Sequence, residues 1–483
     1  MWLKFLNLNI SMKKFLNISI LSAVLLFTAG CSDKFLEIIP PTVKPESEII
    51  SSPADLRKVL NAGYEALGYS TAMSGQVWFV NDVMADHING TAFSGEWGSH
   101  YTHTTDIFMG TTRSMMADLG KVISRANFTL DRMPQFEGQM TQAEKDAMRG
   151  ECLFLRGLAH FELVRLFGQP YGYTGDNSHL GVPIHTKYSV EGVDRSSVGA
   201  VYTQILADLN EAANLLPASN PAPLVSSAVA PYASYATKWA AKGYLAKVYF
   251  QMNDFTNAYA NANDVIETGG FAFDTEIRNR FSNQGTSEGV FMLTATDSLT
   301  DNVGGFLSNN YAHRAQNVPA IFLSDYIYNK ATADTLDLRG KYWYQKVGNF
   351  VYCNKFPVNY MQVPLVHLTE LMLIRAECIG EGAADNPTKA VADLNKIRSR
   401  AGIAAVGGLS GASLVDAVRA ERELEMLAEG NRLQELKRQA TRGNKSLYIR
   451  TSPWDCNGMV NQIPDNELKG VFGMQPNPQG GCN

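Results

Sequence analysis

The chain has 483 residues, 45% hydrophobic and 18% charged, with 42 Lys and Arg against 47 Asp and Glu. An acidic balance gives a nucleic-acid backbone too little positive charge to bind, which excludes nucleic acid as a partner. The hydrophobic share is ample for a core, and the length alone would allow two or three domains.

The first element is a leader. Met12-Lys13-Lys14 supplies a positive start, Ile18 to Phe27 an apolar stretch too short to span a bilayer, and Ala29-Gly30 the small residues before a lone Cys31. This reads as a lipoprotein signal peptide over residues 1–30, with Cys31 as the lipid attachment site and residues 1–11 lying upstream of a true start at Met12. Removing 30 of 483 residues takes Lys4, Lys13 and Lys14 but no acid, so the 453-residue body carries 39 basic and 47 acidic residues, a net charge of −8. No later apolar run is long enough to cross a membrane, so acyl chains on Cys31 would hold this body there, each buried CH₂ contributing ~0.8 kcal/mol.

Helical periodicity then dominates. Asp55 to Leu67 follows Pro53 and puts Leu56, Val59, Leu60 and Leu67 on one face. Met115 to Met133 repeats the pattern through Leu119, Val122, Ile123, Ala126 and Leu130, with Pro134 just beyond. Thr141-Gln142-Ala143-Glu144 is a capping box that opens a helix running to about Phe167, where Gly168 and Pro170 stop it. Ser197–Leu216, Thr237–Met252, Phe255–Thr268, Val366–Ile379, Thr388–Ala401 and Leu414–Arg438 bring the predicted helices to nine. Short connections pair several of them antiparallel, as in helical repeats. Trp239, Gly243 and Ala262 fall at the aromatic, Gly and Ala positions of a tetratricopeptide (TPR) repeat, where small residues let helices approach closely; Phe255 and Ala258 fit that repeat less well. A generic helical bundle is the alternative.

Three regions do not fit helices: 69–112, rich in Gly, Ser, Thr, His and aromatics; 270–362, with a strand-like piece at Glu288 to Leu293; and the Gly/Pro/Asn-rich 443–483. Loops this long in a compact protein carry function or are disordered, and their aromatic content argues for order. Beyond Cys31, Cys152 and Cys378 fall on helical patterns as buried thiols, Cys353 has no partner at metal-site spacing, and Cys456 and Cys482 can pair if the tail folds back. Glu421, Glu425 and Glu429 at i, i+4 spacing resemble paired catalytic carboxylates, but Arg419, Arg422 and Arg432 beside them favour ion pairs and capping. His100 and His103 lack a third metal ligand. There is no HExxH, Walker loop, GxSxG elbow or dinucleotide fingerprint, so no catalytic residue, metal or cofactor is assigned.

Six ordered segments carry a resemblance to a known family. Cys31-Ser32-Asp33-Lys34-Phe35-Leu36-Glu37-Ile38-Ile39-Pro40 resembles the mature start of SusD/RagB-family lipoproteins, and Arg149 to Gly168, followed by Gly181-Val182-Pro183-Ile184, resembles that family's long arginine-aromatic helix. Thr369 to Glu377, Leu394 to Gly402 and Glu421 to Arg432 are similar to three later helices of the family. Ile463-Pro464-Asp465-Asn466-Glu467-Leu468 and Gln475-Pro476-Asn477-Pro478 are similar to its tail, with Pro476 interrupting a Gln-Asn pair and Cys482 replacing an aromatic finish.

The resemblance implies a mainly α fold: one SusD-like domain over residues 31–483, with TPR-like helix pairs as scaffold, a few short strands and a loop-rich ligand face. It also implies an outer-membrane, cell-surface lipoprotein that hands oligosaccharide to a SusC/RagA-like TonB-dependent transporter. The surface-export signal would be Ser32-Asp33. Sugars of such ligands stack their apolar C–H faces on aromatic rings while amide, carboxylate and guanidinium groups fix the hydroxyls. Trp78, Trp97 and Tyr101 in the first irregular region and Tyr311, Arg314, Trp343 and Tyr344 in the second have that chemistry, with Asn81, Asp82 and Asn310 as polar partners. The competing reading of each ring is a packed loop anchor. Oligopeptide capture, as in RagB-like members, is the alternative ligand class, and a helical-repeat adaptor without a small ligand is the alternative from another class.

Overall fold

The computed structural model describes residues 50–90, 93–219, 235–283, 286–294, 303–319, 321–443, 445–468 and 474–482. The leader, Cys31 and the 31–40 motif lie outside the described residues. From Ser52 onward the chain forms one compact unit.

Fifteen α-helices are described: α1 Pro53–Leu67, α2 Gln76–Val83, α3 Gly95–Tyr101, α4 Gly110–Arg132, α5 Gln142–Phe167, α6 Val198–Leu215, α7 Lys238–Gln251, α8 Phe255–Thr268, α9 Gly305–Tyr311, α10 Asp325–Thr332, α11 Leu338–Tyr342, α12 Leu368–Gly380, α13 Pro387–Arg400, α14 Gly411–Glu425 and α15 Arg432–Arg442. The long ones begin where a side chain can take an orphan N–H. Ser52, Thr141, Ser197, Thr237, Asp254 and Asn386 each accept from the first turn of the helix that follows, and Thr141 with Glu144 forms the expected capping box. From Gly150 to Phe167, α5 is buried on every side, which makes it the central pillar. Helices then stack in chain order, α4 on α5, α5 on α6, α6 on α7, α7 on α8, and α8 on α12, which also carries α13 and α14. Met372, Leu373, Leu394, Ile397, Leu414 and Val418 fill the last of these interfaces.

Several boundaries differ from expectation for physical reasons. α4 starts at Gly110 rather than Met115 because the Glu96 carboxylate, from across a loop, accepts from the N–H groups of Gly110 (2.6 Å) and Thr111 (2.8 Å). Val366 and His367 belong to a strand, β8 (Val363–His367), which pairs antiparallel with β4 (Gly289–Leu293). A Cβ on Gly243 would lie 2.6 Å from Val366 Cγ1, so the small residue admits this strand rather than a helix. The predicted helix Leu414–Arg438 is broken between α14 and α15, with Ala428 and Gly430 at φ 62° and 67°. Buried Lys355 donates to the carbonyls of Glu425 (2.7 Å) and Leu427 (3.1 Å), satisfying the end of α14 from outside it. A Cβ on Gly430 would lie 2.6 Å from Trp78 Cα, so α2 passes against this turn.

The regions expected to be irregular hold α2, α3, α9, α10 and α11, all eight residues or fewer. Seven positions of α2 are buried, and a helix covered on all sides shows no amphipathic period. The strands occur only in two-stranded pairs among the described residues. Cys456 and Cys482 form a disulfide, so the tail does fold back, while Cys152, Cys353 and Cys378 are free and buried.

Candidate ligand-binding site

The two aromatic-rich regions, far apart in sequence, meet in space. β1 (Ile88–Asn89) pairs antiparallel with β5 (Phe322–Leu323), and Ser324 N–H donates to the His87 carbonyl at 2.7 Å. Trp97 of α3 packs edge-on against Phe79 of α2, centroids 4.8 Å apart, and lies 6.3 Å from Phe306 of α9. The residues after α9 turn sharply, Arg314 and Asn317 exchanging two backbone hydrogen bonds of 2.8 and 3.0 Å.

That turn forms one wall of a cavity of about 250 Å³, whose lining includes Arg278, His313, Arg314, Tyr342, Trp343 and Asn354. Tyr342 is half-buried, with the Arg278 guanidinium 4.7 Å and the Lys341 ammonium 5.1 Å from its ring centre. The imidazole of His313 lies 4.7 Å from the ring of Tyr352, itself 5.4 Å from Phe322, which stacks on Phe350 at 4.2 Å and 24°. Phe350 leaves 49% of its surface in solvent. A row of rings thus runs from the cavity mouth onto the hairpin of β6 (Tyr344–Val347) and β7 (Phe350–Cys353). The arrangement offers flat apolar faces beside cationic donors, which suits a ligand with both C–H faces and hydroxyl or acidic groups.

The residues expected to touch ligand separate into two groups. Trp97, Tyr101, Asn310 and Arg314 are half-buried and keep surface available, although Arg450 covers one face of Tyr101 at 4.1 Å and the Asn310 amide donates to the Phe306 carbonyl at 2.8 Å. Six others are interior, which corrects their assignment. Trp78, 7% exposed, meets Phe281 edge-on. Asn81 donates to the Val77 carbonyl at 2.7 Å and accepts from Gln434 at 2.8 Å. Asp82 accepts from the Tyr311 hydroxyl at 2.7 Å and the Gly430 N–H at 3.3 Å, so Asp82 and Tyr311 form a buried brace between α2, α9 and the break after α14. Burial pushes the Asp82 carboxyl up to about 7 despite those donors. Tyr344 is 6% exposed, and Trp343, although it contributes to the cavity wall, is 2% exposed with the Lys355 ammonium 4.3 Å from its ring centre.

Phe322, Tyr342 and Phe350, which keep surface available, escaped the sequence reading, as did Tyr352, the buried ring at 3% exposure that backs them. A usable signal was present in Gly348-Asn349, a two-residue hairpin turn with Gly348 at φ 59° between strands bearing alternating aromatics.

The three glutamates at i, i+4 spacing are already paired with cations of the chain. Glu429 accepts from Lys355 (2.5 Å), His367 (2.9 Å) and Arg280 (3.0 Å), Glu425 from Arg400 (2.7 Å) and Arg280 (2.8 Å), and Glu421 from Arg398 (2.9 Å) and Arg339. Burial opposes ionisation of Glu425 and Glu429, but these cations hold both carboxyls below the ordinary range. Asp86, His87 and Glu423 converge as metal ligands do, yet Arg432 pairs with both carboxylates at 2.8 Å and Lys330 with Glu423, so a metal ion would meet like charge. His100 pairs with Thr111 (3.0 Å), and His103 with Ser452 and the Met84 carbonyl (both 2.9 Å). A second cavity of about 290 Å³ between α4 and β2 (Leu180–Pro183) is mostly apolar, walled by Met116, Ile123, Leu163, Val182 and Met474.

Residues 34–250 match a family described as starch-binding associating with outer membrane, and residues 324–472 match the SusD family. The chain belongs to the SusD/RagB family. It is 22% identical to SusD-like protein P38 of Formosa agariphila over 91% of this chain and 93% of that protein. Its match to SusD-like protein P2 of the same organism is 23% identical over 54% of this chain but spans only 48% of that protein, about half its length. In fold, this SusD/RagB member is similar to a SusD superfamily protein of Bacteroides thetaiotaomicron, with a TM-score of 0.75, 24% identity, and coverage of 89% of this chain and 100% of that one. It is also similar to a laminarin-binding SusD-like protein, with a TM-score of 0.69, 21% identity, and coverage of 88% and 99%. The mainly helical scaffold with few short strands is the fold expected from the resemblance.

Proposed function

We propose that this chain captures oligosaccharide at the cell surface, anchored in the outer membrane through acylated Cys31, and delivers it to a SusC-like TonB-dependent transporter. The observation that carries the reading is the cavity built by the second aromatic-rich region, lined by Tyr342, Trp343 and cationic side chains, with a row of rings from His313 to Phe350 beside it. Rings with exposed faces bind sugars by covering their C–H faces, and functional residues concentrate on loops carried by a rigid scaffold. A laminarin-binding relative in fold supports carbohydrate as the ligand class. No helix among the described residues is long and apolar enough to cross a membrane, so the proposed attachment rests on Cys31. Binding rather than turnover fits the closed ion pairs that occupy Glu421, Glu425 and Glu429.

Titration calorimetry of the full chain in detergent, against plant, host and microbial glycans and against mixed oligopeptides, tests this. Glycan binding that weakens on Tyr342→Ala is the expected result. Binding of oligopeptides alone would replace the reading with peptide capture, and binding of neither would leave a helical-repeat adaptor.

A further inference from the structure

Resting on the glycan reading, we propose that the cavity selects an acidic glycan and that Arg314 holds the ligand's carboxylate or sulfate. Among the described residues the lining holds Arg278, Arg314 and Lys355 together with His313, and no Asp or Glu. These cations are not equivalent. Lys355 is spent, locked by Glu429 and two carbonyls in the interior. Arg278 is paired with Glu276 at 3.2 Å on the open surface, an ion pair of little strength that a ligand anion can replace.

Arg314 is the exception. One of its terminal nitrogens donates to the Asn359 side-chain oxygen at 2.5 Å, while its Nε and its other terminal nitrogen are shut off from solvent without a hydrogen-bond partner among the described residues. Among the described residues no carboxylate pairs with it. Burial draws the pKa of its guanidinium below the ordinary value, and no anion acts to restore it. A guanidinium presents its donors as a planar fork matched to two oxygens of one anion, so two unused donors call for a bidentate acceptor. The backbone bonds between Arg314 and Asn317 hold the residue in place before ligand arrives, as does the Asn317 amide donating to the Asn309 carbonyl at 2.8 Å. The body as a whole is acidic, so a cation left without a carboxylate runs against the overall balance. The adjoining rings would take the sugar faces on either side of the charged group.

The test uses the full chain in detergent at about 0.15 M salt, where long-range attraction is screened. Matched glycan pairs are titrated: polyuronates against their methyl esters, and sulfated polysaccharides against their desulfated forms. At least one acidic member is expected to bind on the order of tenfold more tightly than its neutral counterpart. Arg314→Gln should abolish that preference and leave the unfolding midpoint unchanged, while Arg314→Lys, which keeps the charge but not the fork, should retain part of it. The uronate and sulfate arms identify the anion. Glycans bound equally with and without charge, or acid-selective binding that Arg314→Gln leaves intact, would overturn the proposal while the glycan reading stands. Failure of every glycan with binding of oligopeptides would overturn both.

Discussion

Two regions of this molecule use the same residue types for opposite purposes. Around the break between α14 and α15, Arg280, Lys355, His367, Glu425 and Glu429 are buried, and their charges are matched within the chain. Around the cavity below α9, Arg314 keeps two donors idle, Arg278 has only a surface partner, and Phe350 is half exposed. The difference lies in where the partner resides. A charge or ring whose partner is in the same chain holds the fold, while one whose partner is missing from the chain is available for recognition. Lys355 marks the border, its ammonium lying over the ring of Trp343 of the cavity wall and pairing with Glu429 in the interior.

The largest effect should come from the closed side of that border. Glu429→Ala leaves Lys355, Arg280 and His367 in the interior without their shared carboxylate, and breaking a buried pair by removing one partner costs about 3–5 kcal/mol. Urea unfolding of the full chain would show it as a large drop in midpoint. A loss under about 1 kcal/mol would mean that water reaches this network and that the two regions are less distinct than their burial indicates.

Asp82 tests the same border through pH. It was expected at the ligand and sits instead in the brace with Tyr311 and Gly430, where burial raises its carboxyl to about 7. Between the unfolded value of about 4 and 7, the folded chain keeps a proton that the unfolded chain releases. This group's contribution to stability therefore falls as pH rises through that window and levels off above it. Asp82→Asn, whose amide oxygen can accept from the same two donors, should remove that slope, making stability at pH 8 relative to pH 5 higher than in the parent chain. Glycan affinity should not change, and a large change would return Asp82 to the binding site.

The scaffold was legible because its signals are local. The capping box at Thr141, the stops at Gly168 and Pro170 and the turn at Asn253-Asp254 all act within a few residues, and the helices they bound formed as expected. What was not legible depended on distant partners. Lys355, about seventy residues upstream, helps end α14, and Glu96 sets the start of α4 from another helix. The site was half legible for a related reason. Sequence placed it in the two aromatic-rich regions, which pack against each other while the second alone lines the cavity, and whether a ring in those regions faces inward or outward depends on short helices with no amphipathic period. Trp78 and Trp97 differ in this way alone, one at the core of α2 and the other at the edge of α3.

The smallest expected effect bears on the open side. Phe350 stacks on Phe322 and leaves 49% of its surface in solvent, so Phe350→Ala removes one stacked pair at the surface. Surface changes of this kind stay within about 0.5 kcal/mol, and the unfolding midpoint should hardly move. If the ring ladder guides a glycan from the hairpin to the cavity, the same substitution should weaken binding of long oligosaccharides by on the order of 1 kcal/mol, a typical worth for one aromatic contact. Oligosaccharides short enough to occupy the cavity alone should bind the variant as they bind the parent chain. Titrating a length series therefore separates the two parts of the site: an equal loss at every length would place Phe350 in the cavity's own machinery, and no loss at any length would confine the ligand to the cavity and leave the exposed rings without a part in capture.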